Sequence, residues 1–254
     1  MSSQPPTAPP TLHLYTSLVS SSAARIHIAL FLKEIACSTT HFSLSDPFPA
    51  TFQTLNPGNK VPVLSITQPT SSTTNPTAPT LLSQSPAILT YLEENFPSRP
   101  LIPIPSPSTW IQRAKIHELV SLIACDIQPP TNQSIVLRVR ALCPDPPPNT
   151  PSGAKIFAQN VMREGLLVYN TLISSCSGRY SVGDEVTLAD VCLVPAVQMA
   201  ELYDVDVRGN EGLREVARVY DECMKMWEFR EGSRREGVEK VHVVPHPLEE
   251  NVEA

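Results

Sequence analysis

Asn56-Pro57-Gly58-Asn59-Lys60-Val61-Pro62-Val63-Leu64-Ser65-Ile66 reads as a turn followed by a strand that opens at a proline. Pro62 has no amide hydrogen to give to a ladder, so it belongs at the first position of a strand. Toward the N-terminus, Leu12-His13-Leu14-Tyr15 alternates as a strand, and Ser20-Ser21-Ser22 introduces a helix with Ala24, Ile28, Phe31, Leu32 and Ile35 on one face. Thr39 to Leu44 is a second strand, followed by a short irregular stretch to Leu55. Toward the C-terminus, Thr67 to Thr80 is a Pro/Ser/Thr/Asn-rich insert and Leu81-Leu82-Ser83 a fourth strand. Ser85 then caps a helix with Pro86 at its first position and Ile88, Leu89 and Leu92 inward, ended by Phe96-Pro97. The order is β-α-β, then β-β-α, which makes residues 12–97 an α/β domain on a mixed four-stranded sheet.

Beyond a proline-rich linker, residues 98–109, the pattern is helix only through residues 110–235. Helices are expected over Ile111–Ile127, stopped by Gln128-Pro129-Pro130, over Thr131–Leu142, over Ala154–Cys176 and over Glu211–Arg230 with Leu213, Val216 and Trp227 inward. Val186-Thr187-Leu188-Ala189-Asp190-Val191 starts another, with Thr187 bonding the amide at Asp190 and Val186 packing on Val191; this signal is structural and carries no chemistry. Residues 1–11 read as a disordered arm and 236–254 as a charged tail. Of 27 prolines, 24 lie at or before Pro151, which puts loops in the first half and long helices in the second.

With 254 residues, 41% hydrophobic and 17% charged, the chain is long enough for two cores. The net charge is −6, and residues 1–110 carry none of it, since Arg25, Lys33, Lys60 and Arg99 balance Glu34, Asp46, Glu93 and Glu94. A weakly acidic chain without a basic stripe is no nucleic-acid binder. No stretch reaches the length of a bilayer span, and MSSQPPTAPPT has no export pattern, so no membrane partner is expected. Six cysteines without a Cys-x-x-Cys pair suit reduced thiols in a cytoplasmic protein, Cys176 and Cys192 among them as core thiols. His242 and His246 are separated by Pro245 and have no third ligand nearby, so no metal site is expected.

Three places offer ligand chemistry, each beside a plain structural reading. Ser20-Ser21-Ser22 is either a helix cap or, with the free amides and partial positive charge of a helix start, a site for an anion such as a thiolate. Val61-Pro62 is either an ordinary trans strand start or, if cis, a strand edge that turns the amide and carbonyl of Val61 toward an extended peptide. Gln84-Ser85 is either a cap or a seat for a ligand carboxylate.

Together these features resemble the thioredoxin-like domain of glutathione transferases, and the helical half after a proline-rich linker agrees. The resemblance is nearest to the zeta class, the maleylacetoacetate isomerases. It is carried by Leu14-Tyr15, Ser20-Ser21 with Arg25-Ile26-x-Ile28-Ala29-Leu30, Leu55-Asn56-Pro57 with Val61-Pro62, and Gln84-Ser85 with Ile88 and Tyr91-Leu92-Glu93-Glu94. Asp126-Ile127-Gln128-Pro129 with Asn132, and the run from Val182 to Pro195, extend it from Leu12 to about Leu202. It implies glutathione as cosubstrate, Ser20, Ser21 or Ser22 at its sulfur, Val61 on its cysteinyl backbone, and Gln84 and Ser85 at its γ-glutamyl end. Lys60 would meet the glycyl carboxylate, and Gln128 and Asn132 would close the pocket. The implied protein is a cytoplasmic homodimeric isomerase whose partner is a small electrophilic conjugated carbonyl compound. A conjugating transferase and a non-catalytic interaction module are the rival expectations. Two departures stand out: the family's Arg-Ser-Ser-Cys is Val19-Ser20-Ser21-Ser22 here, and its Ala-Glu-Arg is Ala200-Glu201-Leu202. Loss of both arginines implies an acceptor less acidic than maleylacetoacetate, such as a secondary metabolite.

Overall fold

The computed structural model describes residues 9–44, 47–69, 78–144, 147 and 150–234. The arm up to residue 8, the core of the insert, and the tail with His242 and His246 lie outside the described residues. Strands β1 (Thr11–Thr16), β2 (Ser38–His41), β3 (Val63–Thr67) and β4 (Thr80–Ser83) form one sheet in the order β2-β1-β3-β4. β1 runs parallel to β2, with Leu14 opposite Thr39, and antiparallel to β3, with Leu14 opposite Leu64. Leu64 in turn faces Leu82 of β4. Parallel pairing of β1 and β2 needs a crossover, which α1 (Ser21–Leu32) supplies. α3 (Ser85–Asn95) lies beside α1, and buried Leu12, Leu14, Ile28, Leu64, Ile88 and Leu92 join one core.

The helical half comprises α4 (Trp110–Ser121), α5 (Gln133–Leu142), α6 (Gly153–Ile173), α7 (Leu188–Leu202) and α8 (Arg214–Cys223), followed by the short α9 (Trp227–Gly232). α1 packs directly on α7 and α9, so the two halves share a core. A Cβ on Gly232 would stand 2.7 Å from the Ile28 Cα, so α9 reaches the α1 backbone only through a glycine. Lys33, buried on the end of α1, pairs with Glu93 of α3 at 2.7 Å and also donates to the carbonyls of Ser98 and Arg99. The other Glu93 oxygen accepts the amides of Leu101 and Ile102, and the Leu188 amide donates to the Leu101 carbonyl. The linker is therefore hydrogen-bonded to both halves.

Several boundaries differ from those read in the sequence. The second strand is Ser38–His41, not Thr39–Leu44, although the Phe42 amide still donates to the Thr16 carbonyl. The stretch expected to be irregular holds a short helix, α2 (Ala50–Leu55), anchored by buried Phe52 among Tyr15, Phe42 and Phe48. The helix expected over Ile111–Ile127 changes at Leu122–Ile127 to a π-helical turn in which the Gln128 amide donates five residues back, to Ile123. Pro129 and Pro130 have no amide for the last carbonyls of an α-helix, and Thr131 gives its hydroxyl to the Ile127 carbonyl instead. α5 starts after Asn132 rather than at Thr131, and α6 starts after Ser152 and ends at Ile173. The single helix over Glu211–Arg230 is three pieces: a 3₁₀ turn (Glu211–Leu213), α8 and α9. Trp227 is not inward; it is 53% exposed against Phe31, and Phe229 fills the core. At the start of α7, the buried Asp190 carboxylate accepts the amides of Thr187 and Ser181, both at 2.8 Å, and Thr187 completes the capping box.

Candidate active site

β1 ends at Thr16, and the chain crosses Ser17 to Val19 before α1 begins. Ser20 is the cap: its Oγ accepts the Ala23 amide at 3.3 Å and lies 3.0 Å from the Ser22 Oγ. Ser22 donates to the Val61 carbonyl at 3.4 Å, which ties the start of α1 to the start of β3. Ser21 holds the first helical position, and its hydroxyl has no partner among the described residues. Helical geometry leaves the Ser21 and Ser22 amides without intrahelical acceptors, so hydroxyls and amides are presented together.

Opposite them, Asn56 braces the loop before β3. Its Nδ2 donates to the Lys60 carbonyl at 2.6 Å, and its Oδ1 accepts the Gly58 amide at 3.0 Å. Asn59 adopts a left-handed φ of 48°, and the Val61-Pro62 bond is cis. Of the two conformations that the sequence leaves open, the molecule adopts the cis one.

At the start of α3 the sequence assignment of the cap is corrected. Gln84, with φ 73°, takes the cap position, Ser85 the first helical position and Pro86 the second. Ser85 is buried, and its Oγ accepts a hydrogen bond from Arg25 Nη1 at 3.1 Å. Arg25 is 1% exposed, and its Nε and Nη2 have no hydrogen-bond partner among the described residues. Burial pushes this guanidinium below its usual range, and proximity to Cys192 partly restores it. A buried cation without a carboxylate is costly, and it fits a site completed by an anionic ligand. In the sequence Arg25 stands only as part of a longer motif; its own signal is a lone charge in the apolar run Ala23-Ala24-Arg25-Ile26.

A cavity of about 480 Å³ joins these elements. Ser20, Ser21, Ser22, Arg25, Lys60 and Val61 line it from the sheet domain, and Gln128 and Asn132 from the helical half. Asn132 also has a structural task, its Oδ1 accepting the Ser134 amide as the cap of α5. Gln84 and Ser85 do not line the cavity; Ser85 reaches it through Arg25. Val19 lines it, whereas Leu202 is 60% exposed and lies off it, with Met199 and Tyr203 of the same turn on the wall. Leu44, Phe48, Ile127, Met162, Met199 and Tyr203 carry no site signal in the sequence, because they read as ordinary core or loop residues and only the packing of α2, α6 and α7 assembles them.

A helix start that presents hydroxyls and free amides, a cis-proline strand start and a buried cation, all on a four-stranded sheet packed against helices, are the features of a protein of the glutathione transferase type. The glutathione S-transferase N-terminal domain profile matches residues 19–95, and the C-terminal domain profile matches residues 137–226. A probable glutathione S-transferase of Coccidioides immitis is 34% identical over 92% of this chain and 93% of its own. The maleylacetoacetate isomerase of Emericella nidulans is 34% identical over 82% of this chain and 86% of its own. The crystal structure of maleylacetoacetate isomerase from Anaeromyxobacter dehalogenans with bound glutathione superimposes with a TM-score of 0.73 at 30% identity, covering 90% of this chain and 97% of that one. The chain belongs to the glutathione transferase family, and within it to the zeta class of glutathione-dependent enzymes that includes the maleylacetoacetate isomerases. No helix among the described residues is long and apolar enough to cross a membrane, and no cluster among them has the ligands of a metal site.

Proposed function

We propose that the protein is a glutathione-dependent cis-trans isomerase of a conjugated double bond, maleyl-type or a related enone, whose acceptor is less acidic than maleylacetoacetate and is of the kind found among secondary metabolites. The observation that carries this reading is the convergence of the three serines, Val61 and the buried Arg25 guanidinium, bonded only to Ser85 among the described residues, on one cavity. Glutathione fits these groups. The start of α1 receives its sulfur, Val61 pairs with its cysteinyl backbone, Lys60 meets its glycyl carboxylate, and Gln84 and Ser85, backed by Arg25, hold its γ-glutamyl end. Gln128 and Asn132 close over it.

Bound glutathione supplies a thiolate that adds to the double bond, allows rotation about the resulting single bond and leaves again, so that none is consumed. The protein's task is to hold that thiolate. A thiol of pKa about 8.5 must be shifted by about two units to ionise at neutral pH, which corresponds to about 2.7 kcal/mol of preferential binding. A hydroxyl donor and two free amides at a helix start are sufficient for that. The six cysteines are free thiols, which agrees with a cytoplasmic setting, and a homodimer is carried over from the family. The deciding experiment incubates the protein with glutathione and a cis-enone, and follows both the trans product and free thiol. Product without thiol loss supports the isomerase. Stoichiometric thiol loss selects a conjugating transferase, the second reading, which the name of the Coccidioides relative favours. Absence of glutathione binding, with activity indifferent to Ser20→Ala and Ser21→Ala, would leave only an interaction module.

A further inference from the structure

The cavity has an electrostatic asymmetry. Among the described residues its lining holds two cations, Arg25 deep beside Ser85 and Lys60 at the loop before β3, and both stand on the sheet side with the serines. Glutathione has two carboxylates, so both cations are matched by it in the reading proposed above. The opposite wall presents Ile127, Met162, Ala196 and Met199 from the π-helical turn, α6 and α7, beside uncharged polar side chains between Gln128 and Ser134. An acceptor carboxylate against these side chains would lose hydration and find no counter-charge among the described residues. Tyr203 stands on the same wall, four residues after Met199 and at the end of α7. It is half-buried against the core, and its hydroxyl has no hydrogen-bond partner among the described residues.

We infer that Tyr203 is a catalytic hydrogen-bond donor to the carbonyl oxygen of a neutral enone, held against a methionine-lined apolar wall. The inference rests on the glutathione reading and deepens it. When sulfur bonds to the β-carbon, the carbon-carbon π pair moves toward the carbonyl and negative charge collects on its oxygen. Tyr203 donates to that oxygen without transferring its proton. When the pair returns, the carbon-sulfur bond breaks and the thiolate is restored, so atoms and charge balance. A neutral donor suits this wall, because it stabilises charge only while the charge is present.

The test uses three stable thioethers and calorimetric affinity, so it needs no turnover. S-(3-oxobutyl)glutathione carries the carbonyl, S-butylglutathione lacks it, and S-(1,2-dicarboxyethyl)glutathione replaces it with two carboxylates. The native protein should bind the ketone about fivefold more tightly than the butyl compound, the gain of one neutral hydrogen bond. Tyr203→Phe should abolish that preference while leaving affinity for the butyl compound unchanged, and the dicarboxylate should bind weakest to both. A ketone preference that survives Tyr203→Phe would overturn the role of Tyr203. Tightest binding of the dicarboxylate would overturn the cation-free wall. Failure of all three to bind would overturn the glutathione reading, and this inference with it.

Discussion

Arg25 shows how one side chain joins stability to binding. Its Nη1 is spent on Ser85, and two further buried nitrogens have no partner among the described residues. Replacement by an apolar residue of similar volume therefore has opposite consequences for the empty and the liganded protein. Arg25→Met should leave the melting temperature of the free protein unchanged or raise it, and should weaken glutathione binding by tenfold or more; thermal melts with and without glutathione check both. The serines divide differently. Ser20 is committed to capping, so Ser20→Ala should cost about 1 kcal/mol of stability in denaturant unfolding. Ser21→Ala removes a hydroxyl with no structural partner, so it should leave stability intact while raising the pKa of bound glutathione, read from thiolate absorbance. His27 is a residue whose protonation the fold resists, as burial also does at the neighbouring His41. Burial first, then the neighbouring His41 ring 6.0 Å away, lowers its pKa to about 4. The unfolded chain binds that proton near pH 6.5, so stability is complete above that value and is lost as pH falls toward 4, by up to about 3 kcal/mol. Chemical unfolding across this range should show a flatter slope in His27→Gln.

Elements whose register is set by local chemistry are legible in the sequence. β1 alternates in its residue types, β3 opens at a proline, α1 and α3 repeat their apolar residues at helical spacing, and Asp190 closes a capping box three residues after Thr187. What the sequence hides depends on partners distant in the chain. α2 has a single buried residue, Phe52, and is held by aromatic contacts with β1 and the loop after β2. The π-helical turn follows from the two prolines after it, yet a helix reaching Ile127 and a turn ending there have the same apolar pattern. For the site, the loop and cap residues are visible because caps and X-Pro pairs have few uses. The acceptor wall is invisible because methionine and isoleucine look alike in a core and in a cavity. Close helix contacts are equally hidden, and they yield a prediction. Gly232→Ala, ordinarily favourable in a helix, would press a methyl group to 2.7 Å from the Ile28 backbone. It should destabilise the protein by about 1 to 3 kcal/mol, measured by denaturant unfolding, and should leave the local helix content intact.

At the scale of the whole molecule, the cavity is divided between segments far apart in the chain. Most groups proposed for the thiol peptide come from residues 20–61 and the start of α3, whereas residues 127–203 supply the acceptor wall together with Gln128 and Asn132, which close over that peptide. α1 carries the serines at one end and packs against α7 and α9, so the two sides are registered through one helix. The contact between Lys33 and Glu93 extends that registration into the linker, because the same carboxylate holds the amides of Leu101 and Ile102. For anyone recombining this chain with a relative, the seam is thereby fixed. A crossover at the visible end of the sheet domain, near Pro97, would part a carboxylate from the amides it was shaped to receive. A crossover beyond Ile102 would carry the whole clasp with the first parent and exchange the acceptor wall together with Gln128 and Asn132, leaving one further condition: the second parent must bring its own glycine to Ile28.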